Sequence, residues 1–303
     1  MTKMTTAERR GYQQICDAQG LMMVIACDQR GSMRTLLSSD PAVQATISMD
    51  MLGDVKADVT TYLASAATAI LLDPACAVPR IVDDGTLPRD VGLIIGLDDS
   101  GFGTAPVGGY RLSKLVKGIS ARCVRELGGT GGKIMVYLRS DVPEANTHNI
   151  EILKSCIADF ASEDLLLVVE FLTYQLDGED PAIYKSKTAE LVEGGSRICL
   201  ELGAKVLKIP FPGSAEACAR ITALSGDVPW AVLSAGVDHS TFLGQIEIAM
   251  ANGASGVIGG RALWKDCISL DRRVTRDRLT TIAMPRLREI QAVLARHNRS
   301  KAA

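Results

Sequence analysis

Lys208 stands in the run Ala204-Lys205-Val206-Leu207-Lys208-Ile209-Pro210, a short apolar segment that reads as a buried strand of an α/β protein. An ammonium is costly to bury without a use. Strand side chains alternate between faces, so Lys205 and Lys208, an odd number of residues apart, point oppositely. Lys205 can reach solvent at the start of the strand, whereas Lys208 lies at its carboxyl end beside Pro210, where α/β barrels keep their chemistry. A lysine held there can lose its proton and attack a carbonyl. On this segment alone, a rim lysine or a buried ion pair is the alternative.

Other strand ends offer partners. Leu165-Leu166-Leu167-Val168-Val169 closes on Glu170, a carboxylate seldom buried unpaired, and Lys208 is its natural counter-ion. The first apolar run ends Cys27-Asp28-Gln29-Arg30-Gly31, bringing an acid, an amide and a guanidinium to the same mouth; Asp28 capping the next helix is the alternative. Lys133 opens the fourth run and Arg139-Ser140-Asp141 follows it. Pointing inward, Lys133 would set a second positive charge beside Lys208 and favour the neutral amine; pointing outward, it would be a bottom-face surface lysine. The seventh and eighth runs end Ser234-Ala235-Gly236 and Gly259-Gly260-Arg261. Small residues that bare backbone N–H groups, a following helix start and a guanidinium together suit a phosphate, which barrels often bind after these two strands. His148 and His297 fall in polar helical stretches, and His239 follows the seventh strand in a loop where it can at most brush a ligand.

These residues need a frame that gathers strand ends. Eight apolar runs of strand length recur, each followed by a turn and a helical pattern: 21–27, 69–72, 91–97, 132–138, 165–170, 204–209, 230–233 and 256–258. Eight such units predict a single-domain (β/α)8 barrel over residues 1–303, with a short N-terminal helical extension and a closing helix from Arg272 that ends in a basic tail. A doubly wound open sheet is the alternative, but Gly101-Phe102-Gly103 lacks the third glycine of a dinucleotide loop. The glycine-rich stretch 98–111 reads as a long loop on the strand-end face, either covering a ligand or running passively over the surface.

Composition narrows the functional classes. The chain has 303 residues, 47% hydrophobic and 22% charged, with a formal net charge of -2, so it lacks the basic footprint of a nucleic-acid or anionic-membrane binder. Eight scattered cysteines form neither CxxC pairs nor metal-ligand spacing; they read as reduced thiols of a cytoplasmic protein, and neither metal nor cofactor is expected. The first twenty residues carry no basic stretch followed by an apolar core, and no apolar run approaches a membrane span.

Taken in order, the segments 26–31, 133–141, 170–174, 207–210, 233–237 and 260–264 resemble the class I tagatose 1,6-bisphosphate aldolase family, which includes the sulfofructosephosphate aldolases; the likeness runs from about Met22 to Asp266. The resemblance implies a metal-independent barrel aldolase whose lysine forms a Schiff base with a ketose carbonyl. Position by position, it makes Lys208 the Schiff-base lysine, Glu170 the proton-transfer carboxylate and Lys133 the second active-site lysine. Asp28 and Gln29 become the strand-one pair, and Ser234, Gly236, Gly260 and Arg261 the grip on an anionic end of the substrate. Arg30 or Arg139 is then expected at the other end. The segment 138–141 looks more like the sulfosugar branch, while 170–174 and Leu72-Asp73-Pro74 look more like the tagatose branch. The implied ligand is a phosphorylated or sulfonated ketose. Fold-level analogy adds a homo-oligomer. A catalytically silent sugar-phosphate sensor and a Schiff-base enzyme for unphosphorylated keto acids are the rival readings.

Overall fold

The computed structural model describes residues 3–301, so Ala302 and Ala303 of the expected tail lie outside the described residues. Among the described residues, eight parallel strands close into a barrel: Met22–Cys27, Ala69–Leu72, Gly92–Gly96, Gly131–Tyr137, Leu166–Leu172, Leu207–Pro210, Trp230–Leu233 and Gly256–Gly259. Strand eight pairs back on strand one through Met22 and Gly256, which excludes the open sheet.

The two faces of each strand serve different cores. Met22, Val24, Ala26, Ala69, Leu71, Ile94, Leu166, Val168, Val206, Ala231 and Ile258 pack together, and they recur every second residue as inward-pointing strand positions must. The alternate residues, such as Ile25, Ile70, Ile95, Val169, Leu207 and Val232, face the surrounding helices. Helix Met49–Leu63 starts on the Ser48 cap and buries Leu52, Val55, Val59 and Leu63 along one stripe. Each such side chain contributes about 1.5–3 kcal/mol. The apolar positions Leu191, Ile198 and Leu202 predict a helix over 186–203, and the structure has it as Thr188–Glu201.

The N-terminal helix Thr6–Gln14 lies at the amino-terminal end of the strands, where Tyr12 and Cys16 pack against the inner core. This placement corrects the expectation for Lys205. Strand six begins at Leu207, after Gly203 at φ +97°, so Lys205 precedes it. Its ammonium is paired with Glu8 at 2.5 Å rather than released to solvent. The stretch 98–111 is partly ordered, with Gly103–Thr104 and Arg111–Leu112 forming a short antiparallel hairpin. Among the described residues, no helix is long and apolar enough to cross a membrane.

Candidate active site

Period two lifts the apolar floor into a charged layer. Past Leu166 and Val168 the next inward position on strand five is Glu170; past Val206, strand six presents Lys208; strand four presents Lys133, then Met135 and Tyr137. The register sets Glu170 beside Lys208 across the strand five–six ladder. All three charged side chains are buried, and they line a cavity of about 430 Å³ at the carboxyl ends of the strands together with Asp28, Gln29, Arg30, Asp98 and Arg261.

Lys208 Nζ donates to Glu170 Oε2 at 2.8 Å. Lys133 Nζ lies 2.6 Å from Asp98 Oδ1, 2.7 Å from Asp28 Oδ2 and 3.3 Å from Glu170 Oε2. Lys133 therefore points inward, as the first of its two alternatives has it, but as the hub of three carboxylates. Burial works against its charge; Asp28, Asp98 and Glu170 outweigh burial and hold the ammonium well above the ordinary lysine range. Burial also opposes the charge of Asp28, yet Lys133 and Lys208 keep that carboxyl below the usual range. Asp98 goes the other way: burial, joined by Asp28 and Glu170, outweighs Lys133 and raises it. Asp28 caps nothing, because the helix Gly31–Leu37 has no side-chain cap; its oxygens meet Lys133 and, at 3.0 Å, the Gln29 amide.

Asp98 is the residue sequence reasoning passed over. It was legible in the same form as Asp28 and Glu170, an acid following an apolar run, but the Asp-Asp-Ser-Gly that continues it reads as loop.

The anion-binding residues divide. Arg261 lines the cavity and, among the described residues, forms no ion pair. Gly236, at φ +81°, packs on it: a Cβ there would stand 3.3 Å from the guanidinium carbon. A Cβ on Gly260 would meet the Ala26 carbonyl oxygen at 2.1 Å, so glycine lets the chain cross strand one and deliver Arg261. Ser234, Gly236 and Gly260 are not in the cavity wall, and of the three Gly236 packs on Arg261. The helix starts are less open than expected. Helix His239–Ala251 is already capped by its own Asp238, and the turn Arg261–Trp264 has only four residues.

Arg30 Nη2 donates to the Asp98 carbonyl and to Asp99 Oδ1, both at 3.0 Å, while Nη1, 3.6 Å from Asp73 Oδ1, has no hydrogen-bond acceptor. Arg139 requires a correction. It is buried away from the cavity, and its five N–H groups are committed to Asp141, Glu179 and the Tyr174 carbonyl at 2.6–2.9 Å. No donor remains for a substrate. His239 pairs with Glu289 at 2.6 Å, on the closing helix. The segment leading into the hairpin supplies Ser100, Gly101 and Phe102 to the cavity wall. Behind it the Arg111 guanidinium lies 4.5 Å from the Phe102 ring centre, 5.3 Å from Tyr137 and 4.9 Å from Tyr174. Among the described residues, no group of three or more His, Cys, Asp or Glu side chains could hold a metal ion.

A buried lysine against a carboxylate, at the strand ends of a barrel and open to a cavity, is an arrangement for carbonyl chemistry. The chain is similar in fold to an archaeal fructose-1,6-bisphosphate aldolase whose catalytic lysine is covalently bound to the carbinolamine intermediate. The TM-score is 0.62 at 18% identity over 94% of this chain and 98% of that one. Fructose-bisphosphate aldolase from Slackia heliotrinireducens gives 0.63 at 18% identity over 99% and 95%. Tagatose 1,6-diphosphate aldolase 2 of Streptococcus agalactiae is 24% identical over 96% of both chains. Tagatose 1,6-diphosphate aldolase of Listeria monocytogenes is 27% identical over 89% of this chain and 85% of its own. The family described as DeoC/LacD family aldolase matches residues 22–266, and the chain belongs to that family.

Proposed function

We propose that this aldolase cleaves a phosphorylated ketohexose reversibly through a Schiff base on Lys208, with tagatose 1,6-bisphosphate as the first substrate. The products are then dihydroxyacetone phosphate and glyceraldehyde 3-phosphate. The observation that carries the reading is the Lys208–Glu170 contact of 2.8 Å, buried yet facing a cavity. Membership of an aldolase family sets aside the silent sensor. Likeness to the tagatose enzymes over nearly the whole chain supports the sugar class.

Lys208 attacks the C2 carbonyl as the free amine, and loss of water gives an iminium that draws electrons when the C3–C4 bond breaks. Glu170, in contact with the nitrogen, moves the protons of dehydration and hydrolysis. Lys133 neutralises the surrounding acids, and Asp28 orients Lys133. Arg261 takes one anionic end of the sugar, with Ser234, Gly236 and Gly260 supporting it. Gln29, whose Oε1 is buried without a partner, accepts from a sugar hydroxyl. Arg30 is left as the candidate at the other end. Holding both ends converts binding into orientation of the scissile bond.

Sulfofructose 1-phosphate, giving sulfolactaldehyde, is the second substrate to compare. The segment 138–141 that resembles the sulfosugar enzymes lies off the cavity around Arg139, so it gives the sulfonate no direct contact. The eight free thiols fit a reducing cytoplasm, and we read the chain as one barrel unit that associates with its own kind.

Borohydride trapping with dihydroxyacetone phosphate tests the chemistry, with a covalent adduct expected at Lys208. Absence of an adduct, or full activity in Lys208→Ala, overturns it. Cleavage rates for tagatose 1,6-bisphosphate, fructose 1,6-bisphosphate and sulfofructose 1-phosphate settle the substrate.

A further inference from the structure

Breaking the C3–C4 bond of a ketose iminium needs two proton transfers besides those at nitrogen. The C4 hydroxyl must lose its proton as that oxygen becomes a carbonyl, and C3 of the resulting enamine must gain one. Three carboxylates surround Lys133, and their surroundings separate them by task. Glu170 is engaged with the Lys208 nitrogen. Asp28 has both oxygens occupied, by Lys133 and by the Gln29 amide. Asp98 touches Lys133 through Oδ1 alone, and among the described residues Oδ2 has no partner. At 16% side-chain exposure against 9% for each of the others, Asp98 is also the most open of the three to the cavity.

We propose that Asp98 is a further catalytic residue, the carboxylate that takes the C4 hydroxyl proton and returns it to C3. The proposal rests on the Schiff-base reading and deepens it. In the cleavage direction Asp98 Oδ2 accepts the C4–OH proton, and the O–H electron pair becomes the second bond of the aldehyde. The C3–C4 pair moves to C2–C3, and the iminium pair moves to nitrogen. After the aldehyde departs, the enamine nitrogen pushes its pair back and C3 removes the proton from Asp98. The iminium of dihydroxyacetone phosphate and the Asp98 carboxylate are restored, so one proton has moved from oxygen to carbon without a co-reactant.

The electrostatics agree with that duty. Asp28 is held ionised, whereas burial and two like-charged neighbours lift Asp98 toward the range where a group both accepts and releases a proton. Lys133, fixed against Asp98 Oδ1 at 2.6 Å, holds the side chain in place and leaves Oδ2 to carry the proton between the two transfers.

The test separates nitrogen chemistry from carbon chemistry. Wild-type protein and Asp98→Asn are each incubated with dihydroxyacetone phosphate in D2O without aldehyde. Borohydride trapping reads Schiff-base formation, and NMR reads exchange of the C3 proton. Asp98→Asn should be trapped as wild type is, while exchange falls about 100-fold or more, the size of a lost general acid–base group. Asp98→Ser provides the same split in a smaller neutral side chain should the amide disturb folding, and Asp98→Glu should recover part of the exchange. If wild type is not trapped, the Schiff-base reading itself fails. If wild type is trapped and exchanges, the role of Asp98 is overturned by neutral variants that exchange at the wild-type rate, or that fold but are no longer trapped.

Discussion

Two buried lysines, each against a carboxylate, have opposite surroundings. Lys56, on helix Met49–Leu63, is wholly enclosed and paired with Asp73, which also accepts from the N–H groups of Ala75 and Cys76 at 2.9 Å. Lys208 is paired with Glu170 but faces a cavity. Burial and pairing are common to both, so neither marks chemistry. What differs is access, together with a second lysine 3.3 Å from the same carboxylate that is itself paired with two further acids. A sealed pair locks helix to strand; an open one can exchange its partner for a substrate.

Breaking that contrast should give unequal losses. Lys208→Ala removes the proposed nucleophile: turnover should fall roughly 10⁴-fold or more and the borohydride adduct vanish, with circular dichroism unchanged. Glu170→Gln keeps the shape but not the proton, and kcat should fall about 100- to 10,000-fold. Lys56→Met leaves the buried Asp73 with only Arg30, 3.6 Å away, as a cation, and urea unfolding should show a loss of about 3–5 kcal/mol. Turnover per folded molecule should stay near wild type, and a comparable drop in kcat would erase the distinction between the two pairs.

A smaller effect lies in pH. The folded-state pKa of Asp28 is depressed, so its stabilising contribution is present above the ordinary carboxylate pKa of about 3.9 and is lost as pH falls toward the folded value. Lys133 is shifted up, so its contribution is present below the ordinary lysine pKa of about 10.4 and is lost as pH rises through the folded value. The stability gap between wild type and Asp28→Asn, followed by urea melts, should be constant at neutral pH and narrow below about pH 4. A gap that stays constant down to pH 2 would mean that Asp28 is not held by its two lysines.

The barrel was legible because closed parallel sheets bury both strand faces, and uninterrupted apolar runs announce that. The runs at 69–72 and 230–233 match their strands, while strand six starts at Leu207 rather than at Ala204. Glu170 and Lys208 pair in the sequence because they close neighbouring apolar runs, whereas pattern alone leaves Asp28 and Lys133 with alternatives and the family resemblance is what brings them to the site. Arg139 was misplaced because nothing local reveals Glu179, forty residues on, which takes two of its five hydrogen bonds. Asp98 was hidden by the turn-forming residues that follow it.

The aromatic enclosure of Arg111 has a consequence for the rim. Its guanidinium is held by ring faces rather than by a carboxylate, so acidification that would loosen an ionic latch leaves this one fastened. Because Phe102 and Tyr137 also line the cavity, a change that unseats Arg111 reshapes part of the cavity wall as well.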